Sequence, residues 1–521
     1  MRAAEVGAAI SLASDLQLGL DLEHGLRSTV FAMRIGERLG VDRPTLSDTY
    51  YACLLMYVGC TADVHIRAEL FDDIETAARN LFPVRFGSSR EILGELVRSV
   101  APGRPPLQRA AAIARTVPRA ARVMPRVDVA CREVTGILSG RLGLPASIRA
   151  LAPIVDERWN GAGDPGLLKG DQLPPAIRIA HVARDADLQR VLGGWERAAQ
   201  ALRERAGHAF DPEIAGLAAD HAAEILTMDE GESAWEETLA SEPAPHLMLD
   251  GEAIDDALSA MGDFADLVSP YLTGHSTGVA ALAIAAAQRC RLESGEVTAL
   301  RRAGLIHDVG RAAVPTTIWQ KPGRLTPQEW ERVRLHPYHS ERILCPSPFL
   351  AKLVPIAAAH HERLDGSGYH RGARVSELGA PARLLACADA YHAMTEPRPH
   401  RPPLSDGEAA EALGDEARAG RLDPEAVAAV LEAAGHRPPR FERPAGLTER
   451  EAEVIGLLAR GLQTKQAAHA LGISVKTADS HVQHAYAKIG VSTRAGATLF
   501  AMQHGLMAWA DLPLTTADHR G

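Results

Sequence analysis

The stretch GLIHDVGRAAVP, Gly304 to Pro315, sets His307 and Asp308 side by side at the end of an apolar helical run, where a carboxylate without a partner is costly to bury. An earlier stretch, CLLMYVGCTADV from Cys53 to Val64, keeps the same frame of apolar residues and glycine but has Met56 and Tyr57 at those two places. The chain thus holds a version of its own motif with the polar pair removed.

The register of this repeat follows from several landmarks. His24 pairs with His275 at an offset of 251, which also sets Met56-Tyr57 against His307-Asp308 and Gly59 against Gly310. Further on, VDERWNGAGD (Val155 to Asp164) pairs with HHERLDGSGY (His360 to Tyr369) at an offset of 205, which brings Arg184 opposite Asp389 and Cys131 opposite His336. We read a duplication with one decayed copy.

Composition agrees with several domains. The chain has 521 residues, 46% hydrophobic and 23% charged, with a net charge of −10; the length suits more than one core, and the charge excludes a chain that coats nucleic acid along its length. Six cysteines without a CxxC pair point to reduced thiols in a cytoplasm. No stretch reads as an export signal or a membrane span. Helical periodicity prevails, with Ala, Leu, Arg and Glu in excess, so the expected class is all-α. Two segments poor in apolar period serve as expected linkers. The division is then a degenerate copy at 1–226, an acidic linker at 227–250, a second copy at 251–434, a basic Pro-rich linker at 435–446 containing Arg437, Arg440 and Arg443, a reader at 447–510 and a tail at 511–521.

Between His275 and Asp389 the second copy offers His275, His307, Asp308, His336, His360, His361 and Asp389. The first copy has mostly non-ligands there yet keeps the apolar frame, so packing does not require these side chains. Imidazoles with carboxylates suit Fe, Mn, Zn or Ni, and two such ions, with Asp308 between them, would compensate its charge and support phosphoester hydrolysis. Arg311, four residues after His307, would share its helical face and bind phosphate.

These residues resemble the HD-GYP family, phosphohydrolases of cyclic di-GMP and related cyclic dinucleotides. The likeness runs from Leu272 to Arg401: HDVGR for the HD signature, RLHPYH for the ligand His336, HHERLDGSGYH for the signature loop with Asp365, Gly366, Gly368 and Tyr369, and CADAYHAM for Asp389. It implies two divalent ions held by His275, His307, Asp308, His336, His360, His361 and Asp389, and substrate phosphate near Arg311, Arg398 and Arg401. Arg311 stands where the family has lysine, His370 where it has the proline of its GYP triplet, and Tyr271 where some members have a third-metal glutamate.

The C-terminal stretch reads as short helices. Thr448 and Glu451 form a capping box; Thr464 is expected to cap a second helix ending at Gly472 and Ser474 a third. In the third, Val475, Ala478, Val482, Ala485 and Ile489 form a core stripe, leaving Lys476, Asp479, Ser480 and Gln483 on a polar face that can enter a major groove. The segment is similar to the LuxR-type DNA-binding domain. The likeness implies base contacts from Asp479, Ser480 and Gln483, phosphate contacts from Lys465, Lys476, Thr477 and Lys488, and homodimerisation near Ala495 to Leu506.

Together these readings describe a cytoplasmic transcriptional regulator with partners in double-stranded DNA and a cyclic dinucleotide, its first copy acting through packing. A sensor that binds a nucleotide without turnover, and a general nucleotide phosphohydrolase localised by DNA binding, are the alternatives.

Overall fold

A computed structural model describes residues 1–435 and 444–506, except 63–65, 68–69, 72–73, 229–230, 232, 291 and 504–505. Arg437, Arg440, Arg443 and the tail 511–521 therefore lie outside the described residues. Those described form helices and 3-10 turns, with isolated bridges but no strand. They gather into two units, Met1–Ala257 and Leu258–Gly521.

The units repeat one another in local geometry. His24 opens the helix His24–Leu39 behind Glu23 at φ 71°, and His275 opens His275–Arg289 behind Gly274 at φ 77°. Each histidine enters its helix from a left-handed residue, supplied in one case by glycine, which adopts it without strain. The helices Arg43–Leu54 and Ser294–Ile306 then lead into 3-10 turns at Val58–Thr61 and Val309–Ala313. There Gly59 donates its N–H to Thr135 Oγ1 at 3.0 Å, as Gly310 does to Ser340 Oγ at 2.9 Å.

Backbone proximity fixes the same pairings. A Cβ on Gly59 would lie 1.8 Å from the Cys131 carbonyl oxygen, and one on Gly310 would lie 2.1 Å from that of His336. Cys131 thus stands in the first unit where His336 stands in the second. In the later loops Glu157 accepts from Gly166 N at 3.2 Å and Leu167 N at 2.7 Å, while Glu362 accepts from Arg371 N and Ala373 N at 2.8 Å each. Both glutamates are buried and hold their loops from inside.

The units differ in one connection. From Gly59 to Cys131 there are 72 positions and from Gly310 to His336 there are 26, an excess of 46 in the first unit. The extra chain includes the helices Ile74–Leu81 and Ser89–Ser99 and the N-terminal part of Pro106–Arg141.

The acidic stretch 227–250, expected as a linker, is instead built into the first unit. Ala234–Ala240 is helical, with Trp235 and Thr238 buried. Thr238 Oγ1 donates to the Leu26 carbonyl at 3.2 Å, and Glu242 accepts from Tyr51 Oη at 2.6 Å. Trp235 and Thr238, three residues apart, make a buried face that the surrounding acids hide in the sequence.

Candidate metal centre and DNA-reading helix

His307, His336 and His360 are held in the same way. Each donates Nδ1–H to the carbonyl three residues back, on Gly304 at 2.7 Å, Val333 at 2.6 Å and Ala357 at 2.6 Å. In the neutral ring the tautomer that follows leaves Nε2 as a lone pair; burial pulls the His307 imidazole down, but Asp308 and Asp389 outweigh it and raise it to about 9, so a cation there would displace a proton. The Nε2 atoms of His336 and His360 face each other at 3.0 Å and lie 3.2 and 3.4 Å from Asp308 Oδ1. His307 Nε2 lies 2.8 Å from Asp308 Oδ2. All four residues are buried, so lone pairs and a carboxylate converge away from water, an arrangement that a cation makes favourable.

On the other side His275 Nε2 lies 3.1 Å from Asp389 Oδ1 and 3.3 Å from Asp308 Oδ2. The expected ligand atoms form two groups, His275, His307, Asp308 and Asp389 in one and His336, His360 and His361 in the other, each within 4.8 Å, and a third group, His275, His392 and Glu396, shares His275 with the first. Asp308 presents Oδ2 to the first and Oδ1 to the second, and neither oxygen has a hydrogen-bond partner. This nitrogen and oxygen set fits a divalent transition metal. Burial pushes the Asp308 carboxyl up, but Arg311 and His307 outweigh it and hold it well below the usual carboxylate range. Burial holds His336 down to about 4, neutral as a ligand must be.

Sequence reasoning missed Glu396 and His392. His275 Nδ1 lies 2.8 Å from Glu396 Oε2, His392 Nδ1 lies 3.1 Å from Glu396 Oε1, and Arg398 Nη2 donates to Glu396 Oε2 at 2.7 Å. In the first unit His24 Nδ1 meets Asp187 at 2.7 Å. The offset of 205 puts Asp187 opposite His392, so in the second unit the carboxylate behind the first histidine has moved one turn along the helix. The repeat carries no signal for Glu396, since the offset leads from Asp187 to His392.

The remaining expected residues divide. Arg311 is buried, with Nη2 2.7 Å from Asp308 Oδ2 and with Nε and Nη1 lacking hydrogen-bond partners. Tyr369 stacks on His361 with centroids 4.7 Å apart. Asp365 is exposed and accepts from Ser367 N at 2.9 Å, while Gly366 takes φ 82° and Gly368 passes so close to the backbone of Glu362 that a Cβ would come within 2.5 Å; these three shape the loop. Arg398 also donates to the Tyr271 carbonyl at 2.5 Å. Arg401, expected at substrate phosphate, spends its donors elsewhere: on the carbonyls of Ala393 at 2.6 Å and Met394 at 3.1 Å. It closes the C-terminus of the helix Ala380–Thr395, an end that favours a cation.

In the first unit a guanidinium occupies the equivalent centre. Arg184 lies 4.3 Å from the Tyr57 ring centroid, donates through Nε to Tyr57 Oη and reaches Met56 Sδ at 2.9 Å. His24 Nε2 is 3.2 Å from the same hydroxyl.

At the C-terminus, helices cover Glu449–Ala459, Thr464–Ala470, Val475–Ile489 and Arg494–Gln503. Thr448 and Glu451 form the expected capping box, and Ser474 Oγ caps the third helix through Thr477 N at 3.1 Å. The second helix is capped by Gln463, not Thr464: Gln466 reaches back to Gln463 N at 2.8 Å. Ala478 and Ala485 are buried, Val482 and Ile489 half-buried, and Val475, expected in the core stripe, is exposed at the helix start. Lys465, Lys476, Thr477, Asp479, Ser480 and Gln483 are exposed. Lys488 is tied down: Nζ donates to Glu451 Oε2 at 2.7 Å and the Gly446 carbonyl at 3.1 Å. The last helix, expected to dimerise, is buried at every residue from Ala495 to Leu499, which leaves no open face over that turn.

Residues 259–426 match the family model of the HD domain, and residues 445–501 that of the bacterial regulatory proteins, luxR family. A 3'3'-cGAMP-specific phosphodiesterase 3 of Vibrio cholerae is 28% identical over 445 residues, 84% of this chain and 95% of that protein. Cyclic di-GMP phosphodiesterases of Pseudomonas aeruginosa and Thermotoga maritima are 37% and 40% identical over 32% and 26% of this chain, spans that cover 40% and 37% of their own lengths. A crystal structure of a cyclic GMP-AMP specific phosphodiesterase of V. cholerae superposes with a TM-score of 0.58 at 24% identity, covering 84% of this chain and 99% of the other, so the two share a fold. No helix among the described residues is long and apolar enough to cross a membrane. The chain carries an HD domain whose homologues are HD-GYP-type cyclic dinucleotide phosphodiesterases, followed by a C-terminal LuxR-type domain.

Proposed function

We propose that the chain is a DNA-binding regulator whose second unit holds two divalent ions and hydrolyses a cyclic dinucleotide. The observation that carries this reading is Asp308, whose buried Oδ2 faces His307 Nε2 at 2.8 Å while Oδ1 faces His336 and His360 Nε2 at 3.2 and 3.4 Å, so that one carboxylate meets both ligand groups. Ions bound there would activate water and neutralise phosphodiester charge. The chain's own residues do the rest. His307, His336 and His360 keep their Nε2 atoms aimed inward through backbone bonds. Arg311 has two buried donors, Nε and Nη1, without hydrogen-bond partners, either of which can meet a phosphate oxygen. Tyr369, stacked on His361 with the Arg334 guanidinium 5.3 Å from its ring centroid, packs against the site from the signature loop. Gln483, Ser480 and Asp479 stand on the exposed face of the third C-terminal helix, placed to read base edges.

The test is a hydrolysis panel of cyclic di-GMP, 3'3'-cGAMP and linear dinucleotides with metal-loaded full-length protein. The reading expects turnover of a cyclic dinucleotide, lost in Asp308→Ala together with metal and lost in Arg311→Ala with metal retained. Tight binding without turnover in fully metallated protein would replace this reading with that of a sensor.

A further inference from the structure

The extra chain of the first unit helps enclose a cavity of about 570 Å³, within the range of small-molecule sites. Its wall is apolar, formed by Phe71, Phe82, Phe86, Leu96 and Met124 among others. Arg67, Arg85, Asp128 and Asp156 line both this cavity and a much smaller one among Met56, Tyr57, Cys131 and Arg184. The large cavity therefore opens beside the decayed centre.

Charge at that end is unbalanced. Asp156 pairs with Arg85 and Asp164 with Arg132, while Asp128 lies 3.9 Å from Arg85. Two lining guanidiniums have no carboxylate within ion-pair distance among the described residues: Arg67, which reaches Cys131 Sγ at 3.1 Å, and Arg158, which donates to the carbonyls of Gly87 and Arg85. Arg67 Nε is buried without a hydrogen-bond partner. Burial, Arg85 and Arg205 depress the Arg158 guanidinium against Asp156 and Asp185, whereas at Arg67 burial is outweighed by Cys131, Cys60 and Asp128, which raise it.

We propose that the first unit binds a small molecule with an apolar body and a single anionic head, its body in this cavity and its head on Arg67. The unit that lacks the metal ligands then has a ligand site in the same region, independent of any reaction in the second unit. A medium-chain carboxylate is the simplest molecule of this chemistry.

Calorimetric titration of the full-length protein with decanoate, decanol and decyltrimethylammonium, all below micelle formation, tests this. Decanoate should bind saturably at one site per chain, with decanol at least about tenfold weaker for want of the charge-assisted pair and the ammonium not bound. Arg67→Met should weaken decanoate by a similar factor and leave decanol unchanged. Met124→Trp or Leu96→Trp, which fill the cavity, should remove decanoate binding, whereas Asp308→Ala should keep it. The proposal is overturned if wild-type protein binds no decanoate saturably, if it binds the three probes alike, or if the folded cavity-filling variants still bind decanoate.

Discussion

Glu396 holds His275 through Nδ1 at 2.8 Å while the opposite nitrogen of the same ring faces Asp389 at 3.1 Å. A carboxylate behind a ligand histidine fixes its tautomer and raises its basicity, and loss of such a partner typically costs about 10–100-fold in metal affinity. Glu396→Gln is therefore expected to weaken metal binding by about that factor while the protein stays folded. Competition with a chelator measures it; unchanged affinity would reduce Glu396 to a packing residue.

Gly310 and Gly59 meet backbone oxygens that cannot move aside. Gly310→Ala and Gly59→Ala are each expected to destabilise their own unit, by about 3 kcal/mol or more. Chemical unfolding of the full chain measures both; losses below about 0.5 kcal/mol, the level of an ordinary surface substitution, would contradict the close approach.

Much of this organisation was legible in the sequence, because a duplicated motif with one altered half separates side chains that the apolar frame requires from side chains that it does not. His307, Asp308, His336, His360 and Asp389 stood out in that way, and the structure brings them together. Glu396 did not, since its role passes from Asp187 in one unit to a position one turn later in the other. Arg401 and Lys488 look like phosphate ligands in a linear reading because charge shows in a sequence while partners do not; the structure gives them carbonyls and Glu451. The helix Ala234–Ala240 was hidden by its acids.

The first unit has an acid-sensitive core residue. Burial holds His181 down to about 4 from 6.5, and its Nε2–H donates to the Val155 carbonyl at 2.7 Å. The unfolded chain takes up this proton at higher pH than the folded one, so stability is full above the unfolded value and is lost as pH falls from about 6.5 towards 4. From pH 7 to pH 5 the loss attributable to this group is about 2 kcal/mol. His181→Gln, which retains a donor for Val155, should flatten that part of the profile; an unaltered pH dependence of unfolding would remove His181 as its source.

The exposed face of the helix Val475–Ile489 leads to separable effects on DNA. Gln483→Ala should relax discrimination at one base position by about 1–3 kcal/mol. Lys476→Ala should weaken all sequences alike and lower the salt slope by about 1. Lys488→Ala should leave that slope unchanged and lower the domain's melting temperature, because its ammonium is engaged by Glu451. A salt slope that falls equally for both lysines would show that Lys488 leaves Glu451 to meet phosphate.

Asp308 as a shared ligand is the centre of this account, and metal content measured on wild-type and Asp308→Ala proteins side by side tests it most directly. Wild-type protein should retain two divalent ions per chain through dialysis, one for each ligand group, and Asp308→Ala should retain essentially none, since both groups lose an oxygen at once. A variant that keeps one ion while the other is lost would contradict the bridge, and wild-type protein that retains no metal would contradict the centre itself.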